Sequence, residues 1–185
     1  MKKFLVVALT LMVVGMSSAS AQAVWGARVG LSRPTMSISG DWTESIDGKF
    51  GLELGPVLYY SLKSNWYINT GAMFSIKTFD FGEGDNLSVY YLSVPVYAGY
   101  NIPVGKVSLY AQAGPYAGFK LGESEDSGTS SLDAGLGLMG GINVKRFKIE
   151  VGYQIGMANL ADSELKDWGV KMKLNSLFLG VSYVF

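Results

Sequence analysis

The chain has no cysteine and no histidine among its 185 residues. Without cysteine there is no disulfide, thiol nucleophile or thiolate metal site. Without histidine the commonest general base and the commonest transition-metal ligand are missing, and a Ser-His-Asp triad cannot be built. Charge is also scarce. Only 16% of residues are acidic or basic, against about a quarter in ordinary globular domains. Beyond residue 16 no apolar run approaches the length of a membrane-crossing helix. Yet 49% of the residues are hydrophobic. A chain this apolar with no long apolar block is reconciled by strict alternation. On these absences we expect no enzyme activity, no cofactor and no nucleic-acid partner.

The amino terminus reads as a processing segment. Met1-Lys2-Lys3 is basic, residues 4–16 are apolar, and Ala19-x-Ala21 fits a signal-peptidase site. The expected organisation is a cleaved signal peptide over 1–21 and one domain over 22–185. No cysteine follows the apolar run, so the lipoprotein route is closed.

Period-2 alternation then runs through eight segments: 25–32, 50–59, 66–76, 90–100, 107–119, 132–142, 147–157 and 177–185. In an extended chain such alternation puts one set of side chains on each face. In the last segment Leu177, Leu179, Val181, Tyr183 and Phe185 share a face, and the chain stops on an aromatic. Each segment is about ten residues, the length that crosses a bilayer when tilted. The connections alternate long and short. Twelve of the 15 acidic residues fall in the long ones, while the short turns carry only Lys63, Lys106, Lys145 and Arg146. Short turns opposite long loops describe a bacterial outer-membrane barrel with both termini on the periplasmic, short-turn side. The expected fold is therefore all-β, an eight-stranded antiparallel up-and-down transmembrane β-barrel in the cell outer membrane.

Alternation alone does not say which face points outward. A soluble periplasmic lipocalin-like ligand-binding barrel would bury the apolar face. The opposite face here is rich in glycine and poor in solubilising groups, which suits the tight interior of a membrane barrel. Aromatics also gather at the ends of the apolar face. Trp25, Tyr60, Trp66, Tyr100 and Phe147 form an expected girdle near the short turns, and Phe50, Phe74, Tyr90 and Phe119 one near the long loops. Pro56, Pro95 and Pro115 fall inside strands, where bulges or strand ends are expected.

The signal peptide, the strand Tyr91-Leu92-Ser93-Val94-Pro95-Val96-Tyr97-Ala98-Gly99-Tyr100 and the terminal Tyr183-Val184-Phe185 resemble the outer-membrane β-barrel domain family common in Bacteroidetes, of the porin-family or PorT-like kind. The resemblance spans the whole mature chain and carries no catalytic signature. It implies insertion by the barrel-assembly machinery, with Leu179, Val181, Tyr183 and Phe185 as the assembly signal.

The polar face carries Arg28, Glu53, Asp133, Lys148 and Glu150, an expected lumen network in which Arg28 and Glu53 are placed to pair across neighbouring strands. The acidic loops, such as Asp80-Phe81-Gly82-Glu83-Gly84-Asp85 and Glu123-Ser124-Glu125-Asp126, offer oxygen ligands without EF-hand spacing. Solvated loops are the plainer reading of them. Gly135-x-Gly137-x-x-Gly140 mimics a dinucleotide fingerprint but lies within an alternating strand, with no helix after it. Trp42, Phe81 and Trp168 are loop-contact candidates. The expected function is a side-chain-filled barrel with a structural or surface-interaction role, its partners being outer-membrane lipid, lipopolysaccharide, and an envelope or host-surface protein. A narrow pore or a component of secretion is the alternative.

Overall fold

The computed structural model describes residues 23–39, 43–80, 86–123, 132–160 and 171–185. The expected signal peptide, the loop candidates Trp42, Phe81 and Trp168, and most of the acidic loop residues lie outside the described residues. The strands are β1 (Ala23–Ser39), β2 (Thr43–Asp47), β3 (Gly51–Ser61), β4 (Trp66–Gly71), β5 (Met73–Asp80), β6 (Asn86–Val104), β7 (Val107–Glu123), β8 (Leu132–Val144), β9 (Phe147–Gly156) and β10 (Lys171–Val184). β4 and β5 are halves of one span, and β2 is a short hairpin partner of β1. What remains is an eight-strand antiparallel ring, closed where β1 pairs with both β3 and β10.

The ring has a fixed stagger. Stepping across paired residues from Ala23 leads through Tyr60, Ile68, Ala98, Ala113, Leu138, Tyr153 and Leu177 to Arg33. One circuit thus climbs ten residues along β1. For eight strands at ordinary spacings that shear sets a tilt of about 40° and a radius of about 8 Å, room for side chains and little else.

The short turns close one end. Gly105 takes φ +62° in the β6–β7 turn, Ser64 and Asn65 take +57° and +67° between β3 and β4, and Lys145 takes +55° before β9. These are left-handed conformations that suit tight hairpins.

Burial alternates in the sense of a membrane barrel. Along β9 every outward residue from Phe147 to Ile155 is exposed, and Lys148, Glu150, Gly152, Gln154 and Gly156 are buried. A soluble barrel would reverse this pattern. The same strands then invert their polarity towards the long-loop end. On β1 the outward Val29 and Leu31 give way to Arg33, Thr35 and Ser37, while the inward side changes from Arg28 and Ser32 to Pro34 and Met36. On β10 the outward Lys171, Lys173 and Asn175 lie beyond Leu177, over the inward Leu174. The inward apolar groups form a separate core: Met36, Phe79, Leu87, Val89, Tyr91, Leu160 and Leu174. The inversion marks where the lipid belt ends and water begins.

One expectation is corrected here and another is met in part. The span 34–49 is not simply a loop, because β1 runs on to Ser39 and pairs with β2. Of the bulges or strand ends expected at the prolines, a strand end lies opposite Pro56 and a ladder gap beside Pro115, while Pro95 stays paired with Tyr116. Ala72, where β4 and β5 part, lies opposite Pro56 and donates to its carbonyl at 3.1 Å. Pairing between β6 and β7 skips Val96 and Tyr97 beside Pro115, whereas the register shift lies at Tyr90/Tyr91.

Candidate functional site

The lumen is the first candidate, because every buried charge among the described residues lies there: Arg28, Glu53, Lys77, Asp133, Lys148 and Glu150. Three cations face three anions, so the interior is formally neutral, which a buried network requires. Arg28 does not take Glu53 as its close partner. Its Nε lies 2.6 Å from Glu150 Oε1, off the ideal hydrogen-bonding line, with both side chains almost wholly buried. The reason is register. Arg28 is opposite Gly55 and Ser182, while Glu150 is opposite Gly180. The two side chains therefore meet across the intervening β10, past Ser182 and Gly180. Glu53, opposite Gly30, has Lys77 and Arg28 as the cations acting on it.

Lys148 sits in an aromatic cage. Its Nζ lies 4.8, 5.0 and 3.9 Å from the ring centroids of Tyr59, Tyr67 and Tyr110. Desolvated cation–π contacts of this kind are worth about 2 kcal/mol each. The Tyr110 hydroxyl donates to Glu150 Oε2 at 2.7 Å, tying the cage to the Arg28 pair. Beside it, Tyr67 and Asn69 both donate to Gln112 Oε1 at 3.1 Å.

At mid-depth Tyr97, Met139 and Phe178 pack together across the axis. They fit because glycines face them. A Cβ at Gly137 would lie 2.6 Å from the Tyr97 hydroxyl oxygen, and one at Gly180 would lie 2.8 Å from a Phe178 ring carbon. Nearer the loops, Asp133 accepts from Tyr116 at 3.4 Å and faces Lys77 at 3.9 Å, beneath the apolar core around Leu160. The alternation over 66–76 stops one residue short of Lys77, and extending it by one step puts Lys77 on the inward face.

The girdle residues lie on the outer wall. Trp25, Trp66, Tyr100 and Phe147 are exposed and Tyr60 is half-buried. Trp66 and Tyr100 meet edge to face at 5.1 Å, as do Phe147 and Tyr183. In the last strand Leu179 and Val181 point outward, Tyr183 contacts Phe185 at 5.6 Å, and the Phe185 amide donates to the Trp25 carbonyl at 2.9 Å.

The family model described as outer membrane protein beta-barrel domain matches residues 17–162. Among solved structures, Neisserial surface protein A is similar at a TM-score of 0.56 and 16% identity, over 89% of this chain and 99% of that one. The Yersinia pestis attachment invasion locus protein Ail is similar at a TM-score of 0.47 and 18% identity, also over 89% of this chain and 99% of that one. The N-terminal β-barrel domain of Pseudomonas aeruginosa OprF follows at 0.40 and 12%, over 85% and 97%. No curated protein matches the chain.

Proposed function

The chain belongs to the outer membrane protein β-barrel domain family, and from that and its occupied axis we propose that it is a closed barrel presenting its long loops to the exterior for structural or surface-interaction work. The observation that carries this is the layer of Tyr97, Met139 and Phe178 at mid-depth, with the 2.6 Å Arg28–Glu150 pair beside it. A solute path would have to part both.

The termini and the short turns then face the periplasm. The long-loop end faces outward, towards lipopolysaccharide and an envelope or host-surface protein, with Trp42, Phe81 and Trp168 as the contact candidates from the sequence. Chemistry on a substrate has no part in this reading. Within the family we place the chain with the PorT-like kind, on the strand from Tyr91 to Tyr100 and the terminal Tyr183-Val184-Phe185. Assembly follows the usual route, with the last strand read by the barrel-assembly machinery.

Recording from the purified protein in planar bilayers tests the closed state. We expect no steady conductance. Steady conductance that is changed by Arg28→Ala or Glu150→Ala would replace this reading with the narrow pore.

A further inference from the structure

We propose that the outer wall built by β10, β1 and β3 holds one phosphorylated, acylated glycolipid, its phosphate at Arg33 and Lys49 and an acyl chain along Leu31 and Leu179. The proposal rests on the reading that the long-loop end faces the exterior, because it takes its occupant from the outer leaflet.

Two shallow grooves of about 340 Å³ each lie on this wall. The lower is apolar, lined by Leu31, Leu52, Ile149 and Leu179 over the backbones of Gly30 and Gly180. The upper is lined by Arg33, Gly48, Lys49 and Phe50. They adjoin along the sheet. Leu31 and Leu52 are paired across β1 and β3; Arg33 is the next outward position on β1, roughly 7 Å further on, and Phe50 stands just before β3. The join falls where β1 exchanges outward leucine for outward arginine, at the upper edge of the lipid belt.

The two grooves together match an amphiphile. Between the outward leucines the wall leaves a shallow apolar trough with the backbone of Gly30 and Gly180 in its floor. Above it a guanidinium and an ammonium stand at headgroup level. A planar guanidinium binds phosphate through paired N–H donors. Both cations already interact within the protein. Arg33 has Asp47 at 3.3 Å, their side chains 59% and 64% exposed, and so open a pair holds its members weakly. Lys49, itself exposed, has a neighbour from which the phosphate must draw it. Lys171 and Lys173 also point outward from β10, opposite Ser39 and Ser37 of β1, and add to the positive field on this wall. A zwitterionic phospholipid could fill the apolar trough, but it would gain little from the cations. The charge is what selects.

The test places the full barrel in phosphatidylcholine nanodiscs doped with lipid A or with its phosphate-free form. Retained lipid is then counted by native mass spectrometry. Wild type is expected to keep one phosphorylated lipid in preference to the phosphate-free form. Arg33→Gln with Lys49→Gln should lower retention about tenfold. Asp47→Asn should raise it, and Lys145→Gln with Arg146→Gln at the turn end should leave it unchanged. Equal retention of the two lipid forms, or no loss in the Arg33/Lys49 variant, overturns the proposal. A nanodisc exposes both ends of the barrel, so such a failure would count against the groove and leave the orientation reading to be judged by labelling of whole cells.

Discussion

At the scale of single residues, the lumen shows what a sequence hides. Alternation was enough to put Arg28, Glu53, Asp133, Lys148 and Glu150 on one face. Partner choice was not legible, because it depends on the ten-residue climb around the ring. Arg28 on β1 pairs with Glu150 on β9, across the intervening β10. Removing one member of this pair leaves a buried charge alone. Glu150→Ala should therefore cost about 3–5 kcal/mol, read as an earlier urea midpoint in detergent or lipid, and Arg28→Met with Glu150→Leu should recover most of that. If the single and double variants unfold alike, the pair is not the stabilising unit. Tyr110→Phe is the milder probe. It deletes a 2.7 Å hydrogen bond to a carboxylate and keeps the ring over Lys148, so a loss of about 2 kcal/mol is expected.

At the scale of elements, the spans were legible and their ends were not. The alternation of the first span stops at Ser32 and the apolar residues Pro34, Met36 and Ile38 fall on the opposite phase, so residues 34–39 read as part of the connection. The structure shows that the strand continues while its surroundings change, water outside and an apolar core within. A rule that assigns one face to lipid cannot see that exchange. Pairing of large and small residues between facing strands was equally hidden, although fourteen glycines on one face hinted at it. Gly137→Ala should cost about 1–3 kcal/mol by overpacking against Tyr97, and adding Tyr97→Leu should relieve it. An unrelieved double variant would mean that the glycine serves the backbone instead. In the last strand Phe185 anchors the terminus to Trp25 and closes an aromatic row with Tyr183 and Phe147. Deleting Phe185 should sharply lower recovery in the outer-membrane fraction while leaving the lumen contacts of folded molecules unaltered. Undiminished recovery would end its assignment as an assembly signal.

At the scale of the whole molecule, the barrel is lopsided. At a tilt of about 40° a strand gains about 2.5 Å of height per residue, so ten residues cross an apolar band of about 25 Å. β7 has 17 residues and β6 has 19, while the turns after β6 and β8 are only two residues each. The surplus therefore projects from the long-loop end, by about 15–20 Å on β7. Charge follows the same division. Most acids lie in the long loops, and Lys63, Lys106, Lys145 and Arg146 are exposed at the turn end. Whatever the protein meets in water, it meets with the projecting end, so orientation decides which compartment it serves. The absence of native cysteine makes this measurable without background. A cysteine at Ser127 should react with a membrane-impermeant maleimide on intact cells, and one at Ser64 only after the outer membrane is breached. The reverse pattern would turn the barrel over, give the acidic loops to the periplasm, and take the surface-interaction reading with it.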